Sequence, residues 1–266
     1  MLGLGIGMGR VAASASSSAF TPEQSFQNGE LGGWWEPKPQ YLWQDAAGTV
    51  PVTQDGDLVA RMEDRSGNGH HFTQDAGTER MVYRTDGVLH WLEGDAVDDD
   101  IAALGTATAL QFLHTGVDSQ FSIAAFTTPT GSNQNLMGTA NGFSNTQIGS
   151  CISLSSAGAI LHAVTNGDGV AGNQARVTGK SINGAGEAIV STNLVTTGTL
   201  QGRTNSVGFG TDAVMSPGAV DSTTDLMIPG DPTHPAIRFY GALVRNAVDQ
   251  VNEIEQYLSN LAGSPF

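Results

Sequence analysis

The chain has a single cysteine, Cys151, so an intrachain disulfide is excluded. Its neighbours Ile148, Ile152 and Leu154 make a buried core thiol the expected state, ahead of a nucleophile. Absence of disulfides fits a protein assembled inside a cell. Charged residues make up only 14% of the chain, well under the usual quarter. Basic residues are the scarcest: 11 Lys and Arg stand against 26 Asp and Glu, a formal net charge of −15. That balance argues against a nucleic-acid partner, which needs a basic surface for phosphate. It argues equally against anionic membrane surfaces. No apolar run approaches the roughly 20 residues that span a bilayer, so no membrane insertion is expected. There is no repeat of fixed period, no GxSxG elbow, and no HExxH or CxxC spacing around His70, His71, His90, His114, His162 and His234. Such scattered histidines are expected as surface or satisfied core residues.

Glycine is abundant: 35 residues, spread along the whole chain. Gly, Ser, Thr and Asn between short apolar runs mark a turn-rich all-β chain. Runs of this kind fall at Val59–Met62, Phe121–Thr127, Thr146–Leu154, Ala159–Val164, Ala188–Val195 and Thr204–Gly208, and Pro235–Arg245 is apolar on both faces. The spacing predicts a sandwich or barrel. Helical periodicity is convincing only over Val248–Leu261, where Val251, Ile254, Tyr257, Leu258 and Leu261 fall on one stripe and Gly263 follows as a stop.

The first 20 residues differ from the rest. Leu2, Leu4, Ile6 and Met8 alternate with Gly3, Gly5, Gly7 and Gly9, which in an extended chain gives one apolar and one bare face. The ribbon suits a docking arm that lies in a groove or adds to a sheet edge of a partner. A mobile tail and a signal peptide cleaved near Ala13-Ser14-Ala15 are the competing readings, the latter weakened by a start without positive charge. Residues 21–33 read as a connector, with Thr21-Pro22 opening a short helix and Gly29, Gly32 and Gly33 marking a boundary. The expected organisation is an arm and connector, 1–33, followed by one β domain, 34–266.

Two acidic turns punctuate that domain. Leu89 to Ile101 reads as a buried strand, a carboxylate-rich turn and a return strand. Asp64 to His71 is the second. Asp64, Ser66, Asn68 and Gly69 follow the start of a calcium loop, with Asp75 at the twelfth position, but no bidentate Glu is there and no flanking helices are predicted. A plain turn is the favoured reading. Asp98, Asp99 and Asp100 are the better candidates for a cation such as Ca2+, because adjacent carboxylates repel one another unless solvated or paired. Glu93, Asp95 and Asp98 spell E-x-D-x-x-D; on a strand Glu93 and Asp95 share one face, as an acid and nucleophile pair requires. Trp34, Trp35, Tyr41 and Trp43 cluster within ten residues, either as core or as a platform for stacking on sugar rings, with Trp34, Trp35 and Tyr41 the candidates.

A resemblance becomes visible over residues 33–101 and returns at the last strand and helix. The opening through Trp34, Trp35, Pro37, Leu42, Gln44, Asp45, Gly48 and Thr49 resembles laminin-G-like, concanavalin A-like jelly-roll domains, most of all the copies in tailed-phage virion proteins. Asp64, Ser66, Gly67, Asn68, Gly69, His71, Thr73 and Gln74 match a second motif of that family, and Asp95, Val97, Asp98 and Asp99 a third. The departures are Gly94 where the motif has Phe, Ala96 where it has Gly, and Asp100 where it has Tyr. Jelly-roll glucanases are similar to E-x-D-x-x-D but carry Glu at the third place; the phage-type turn puts these residues at a strand end rather than in a cleft. The resemblance implies a concanavalin A-like jelly-roll sandwich in the virion, assembled in the host cytoplasm. It implies a non-enzymatic tail fibre or receptor-binding component touching host glycans, with capsid decoration as the alternative and a carbohydrate-active hydrolase behind both. Other virion proteins would hold residues 1–20, and a homo-oligomer, a trimer by fold analogy, is expected.

Overall fold

Trp34 and Trp35 are neighbours on one strand, Gly32–Trp35, and serve opposite faces of a sheet, as a period of two requires. Trp35 enters the core between two sheets, whereas Trp34 packs beneath the C-terminal helix. The computed structural model describes residues 20–140, 144, 146–167, 174–214, 220–229 and 235–266. The proposed arm residues Leu2, Leu4, Ile6 and Met8 lie outside the described residues, as does His234.

The chain forms two antiparallel sheets of eight and nine strands, an all-β jelly-roll sandwich. In the first sheet the order runs Val207–Ala213, Thr199–Thr204, Glu187–Thr196, Ser119–Thr127, Ile237–Arg245, His90–Glu93, Val82–Thr85, and Gly32–Trp35 pairs with the far half of Ile237–Arg245. In the second it runs Gln174–Ser181, Ala159–Asn166, Ile148–Leu154, Gln134–Gly138, Leu226–Ile228, Ile101–Ala103, Phe72–Thr73, Arg61–Met62, Leu42–Trp43. Phe121, Ile123 and Ala125 alternate inward on one central strand and meet Leu136, Ile152 and Ile160 from the other sheet. Each such side chain is fully buried, a contribution of about 1.5–3 kcal/mol apiece for the Phe, Leu and Ile side chains.

The outward residues Ala124, Val190, Tyr240 and Leu243 are covered by Ile254 and Leu258 of the helix Val251–Leu261. The helix begins three residues later than the periodicity predicts, because Arg245 at the strand end binds Asp249 at 2.6 Å and Gln250 at 2.9 Å and holds that entry non-helical. Its middle is tied to the first sheet by Glu255, which accepts two bonds of 2.9 Å from Arg203 and one of 2.9 Å from Ser206. No described helix is long and apolar enough to cross a membrane.

Three sequence expectations change. Thr204–Gly208 is not a strand but the tip of a hairpin: Asn205 and Ser206 stand at φ +50° and +60°, the two left-handed positions of a tight two-residue turn. The stretch Leu89–Ile101 does not fold back on itself, since His90–Glu93 lies in the first sheet and Ile101–Ala103 in the second; its turn carries the chain between layers. Of the glycines expected at a boundary, Gly32 and Gly33 are inside the sheet, and Gly29 alone lies outside it. A Cβ on Gly32 would stand 1.9 Å from the Val244 carbonyl oxygen, and one on Gly33 2.2 Å from the Trp35 ring. The connector is packed too, with Phe20 against Tyr257 at 6.2 Å, Ser25 donating to Gln250 at 2.8 Å and Glu23 paired with Arg65 at 2.9 Å. The described residues from 20 onward therefore belong to the sandwich body.

Candidate functional site

The Asp64 turn is saturated. The carboxylate accepts from Trp34 N at 3.0 Å, Ser66 N at 2.9 Å, Ser66 Oγ at 2.8 Å and His70 N at 2.9 Å. Asn68 Nδ2 donates to Glu30 O and Gly32 O, locking the turn onto the first strand. Asp64 is 8% exposed and its oxygens are occupied by the protein's own donors, so this is a turn and not a calcium loop.

Trp34 and Trp35, expected as stacking candidates, are 1% and 0% exposed and cannot meet a ligand from outside. Trp35 Nε1 donates to His70 O at 2.7 Å and its ring lies 4.7 Å from Phe72. Tyr41 is half-buried, and the Arg65 guanidinium lies 3.9 Å over its ring and 4.4 Å over Trp34. The aromatic platform is thus core plus a capped edge, because alternation sends one tryptophan to each side of the sheet and Arg65 covers what remains.

The second acidic turn is open. Asp95 Oδ1 accepts from Val97 N at 2.7 Å, and Asp99 Oδ2 accepts from Asp95 N at 2.9 Å. Asp95, Asp98 and Asp99 bring carboxylate oxygens within 4.8 Å of one another. Asp100, expected with them, is instead bonded to Gln74 Nε2, and Asp95 takes its place in the group. Calcium takes roughly six to eight oxygens, so these three carboxylates would need bidentate contacts, backbone carbonyls or water beside them to hold it.

Beside this turn lies a cleft of about 310 Å³ lined by Arg84, Glu93, Gly94, Asp95, Phe126 and Arg238, with Val82, Thr128 and Ile237 among its apolar and hydroxyl walls. Glu93 sits between two guanidiniums, 2.9 Å from Arg84 Nε and 3.4 Å from Arg238 Nε. The hydrogen bond to Glu93 holds the Arg84 guanidinium above its ordinary range. Asp55 reaches Arg84 from the other side at 3.3 Å. The Arg238 guanidinium lies 5.3 Å from the Phe126 ring and 5.4 Å from Trp91. Glu93 and Asp95 both line this cleft, although Asp95 lies past the end of the strand His90–Glu93. Asp98, the third member of E-x-D-x-x-D, does not line it. Sequence reasoning missed Arg84 and Arg238. The signal was present: two of 11 basic residues, one of them exposed near the start of a strand that is otherwise mostly buried.

A second groove, of about 370 Å³, follows the helix past Phe20, Asn252, Gln256 and Tyr257. It has no converging charged groups, which is why the Glu93 cleft is the stronger candidate. His71 Nδ1 accepts from Asp64 N at 3.1 Å, and three further histidines each hold one bond. His162 Nδ1 bonds Asn193 Oδ1 at 2.8 Å, His114 bonds Val220 O at 2.9 Å, and His90 bonds the Tyr83 hydroxyl at 2.7 Å. Burial pushes the His162 imidazole down to about 4. Burial likewise pushes the Cys151 thiol up to about 11, too high for a nucleophile near neutral pH.

No family model and no curated protein matches the chain. Solved structures do match. The botulinum neurotoxin type C structure concerned with cell entry through two ganglioside molecules is 9% identical, with a TM-score of 0.55 over 90% of this chain and 52% of that one. The binding domain of botulinum neurotoxin DC in complex with SialylT is 8% identical, with a TM-score of 0.54 over 87% of this chain and 51% of that one. The Trypanosoma rangeli sialidase is 11% identical, with a TM-score of 0.54 over 88% of this chain and 33% of that one. The chain thus spans about half or less of the length of these proteins, and the likeness is one of fold.

Proposed function

We propose that the chain is a non-enzymatic structural protein of a tailed-phage virion, a tail fibre or receptor-binding component that contacts host-surface glycans. The observation that carries the glycan part is the cleft at Glu93. Guanidinium donors, carboxylate acceptors and an aromatic ring converge there on a jelly-roll sandwich whose structural neighbours include a neurotoxin whose cell entry depends on two ganglioside molecules and a neurotoxin binding domain in complex with SialylT. The non-enzymatic part is supported by Glu93 itself. Both of its carboxylate oxygens are held in ion pairs, Oε2 by Arg84 and Oε1 by Arg238, so neither is free to serve as an acid or a nucleophile opposite Asp95. The virion part rests on the phage-type motifs at residues 33–49, 64–74 and 95–99. In this reading residues 1–20 dock on other virion proteins, the sandwich forms a homo-oligomer with a trimer favoured, and the whole is assembled in the host cytoplasm.

Two measurements on virions that encode the chain test this. Mass spectrometry of purified particles is expected to find it, and gold-labelled antibody against the sandwich is expected to decorate the tail end. Label over the head would turn the assignment to capsid decoration. Absence of the chain from the particles would remove the virion role.

A further inference from the structure

The wall of the cleft is bare at residue 94. Gly94 lies between Glu93 and Asp95 on its wall, and its N–H is fixed by Ile237 O at 3.1 Å. It is not among the glycines at positive φ, so the backbone there tolerates any residue. A Cβ would meet Ile237 Cγ2 and Met81 Cε at 3.6 Å and Asp99 Cβ at 3.8 Å, all ordinary contacts. Neither conformation nor close approach demands a glycine at this point; what its absence of side chain provides is space.

The lining says what that space suits. Arg84 and Arg238 stand against Glu93, Asp95 and Asp99, two positive against three negative charges, a net of −1 within a chain of −15. That field repels an anionic ligand. Part of the donor and acceptor capacity remains: Arg238 pairs with Glu93 through Nε and bonds Tyr240, which leaves further N–H groups of its five-donor fork, and Asp95 uses Oδ1 for its own turn. Sugar hydroxyls both donate and accept, so interleaved guanidinium and carboxylate groups suit them without any charge on the ligand. The Phe126 ring supplies an apolar surface for the C–H side of a pyranose. A volume of about 310 Å³ is at the small end of the roughly 300–1,000 Å³ typical of ligand sites, room for one ring and not a chain.

We propose that this cleft is the glycan subsite and takes one neutral sugar ring, admitted by Gly94 and held between Arg238 and Asp95. The inference rests on the glycan-binding reading above and narrows it to a place and a ligand class. The test uses the full chain on an immobilised panel of neutral and acidic glycans at low and high salt, with Gly94→Phe to fill the cleft. Arg238→Met removes the fork while keeping an apolar stem over the rings. The expected result is retention of neutral glycans, unchanged by salt, and a loss of about tenfold or more in both variants at unaltered melting temperature, equivalent to about 1.4 kcal/mol. If Gly94→Phe does not fold, Arg238→Met decides. Salt-sensitive retention of acidic glycans alone, or folded variants that bind like the parent, would overturn the inference and leave the glycan reading standing. Retention of nothing on the panel would overturn both.

Discussion

Asp64 and Asp95 each open a polar turn just past a strand, and they finish in opposite conditions. Asp64 is buried and takes four donors from its own chain, including the N–H of a buried tryptophan two strands away in sequence. Asp95 is exposed, spends one oxygen on its own turn, and borders a cleft. The difference lies in what surrounds the turns. The first is pressed between Gly32 and Trp35, where unpaired polar groups would be costly. The second crosses from one sheet to the other over the edge of the sandwich, where water satisfies what the protein does not. A carboxylate cluster in a sequence therefore announces a turn; whether it is also available to a ligand depends on how many of its oxygens the fold has already claimed.

The comparison is broken most forcefully at Asp64. Asp64→Ala strands its donors, one of them buried, and should cost about 4 kcal/mol, read from urea unfolding; a loss below about 1 kcal/mol would mean that the turn is as loosely held as the other. His162 is fully buried between the sheets and its folded pKa is depressed from 6.5 to about 4. The unfolded chain therefore binds the extra proton between these values, so stability is complete above about pH 6.5 and falls as the pH drops to about 4. The loss is about 3 kcal/mol at most, and it should shrink in His162→Gln. Smaller effects belong to the open turn. Ala96 stands at φ +66°, where a Cβ is strained, so Ala96→Gly should raise stability by about 0.5–1 kcal/mol in thermal melts. Asp98→Asn should change stability by less than about 0.5 kcal/mol, since the side chain is exposed and its loss strands no buried group.

Much of the fold was legible because it follows from short-range rules. The alternation in Phe121–Thr127 and the stripe from Val251 to Leu261 are periodic patterns, and both elements form where they predict, to within a few residues. Ala96 and Gly94 were visible as departures from a phage-type motif, and each has a physical consequence: one carries backbone strain, the other leaves a wall bare. What was not legible is assembly. Arg84, Glu93, Phe126 and Arg238 come from four strands, and strand order is set by pairings across more than a hundred residues. The tryptophan pair misled for a related reason. An aromatic cluster has the same composition in a core as in a binding platform, and only the packing of the helix over Trp34 distinguishes them. The edge strand Gln174–Ser181 escaped notice because only Ala175 and Val177 of its residues are buried.

The contrast between the closed and the open turn is tested most directly by amide chemical shifts of the full chain titrated with free glucose, galactose, mannose and N-acetylglucosamine. The account predicts that the responding sugar moves Gly94, Asp95, Phe126 and Thr128 and leaves Ser66, Gly67, Asn68 and His70 where they are. Shifts centred on the Asp64 turn, with none around Gly94, would contradict it.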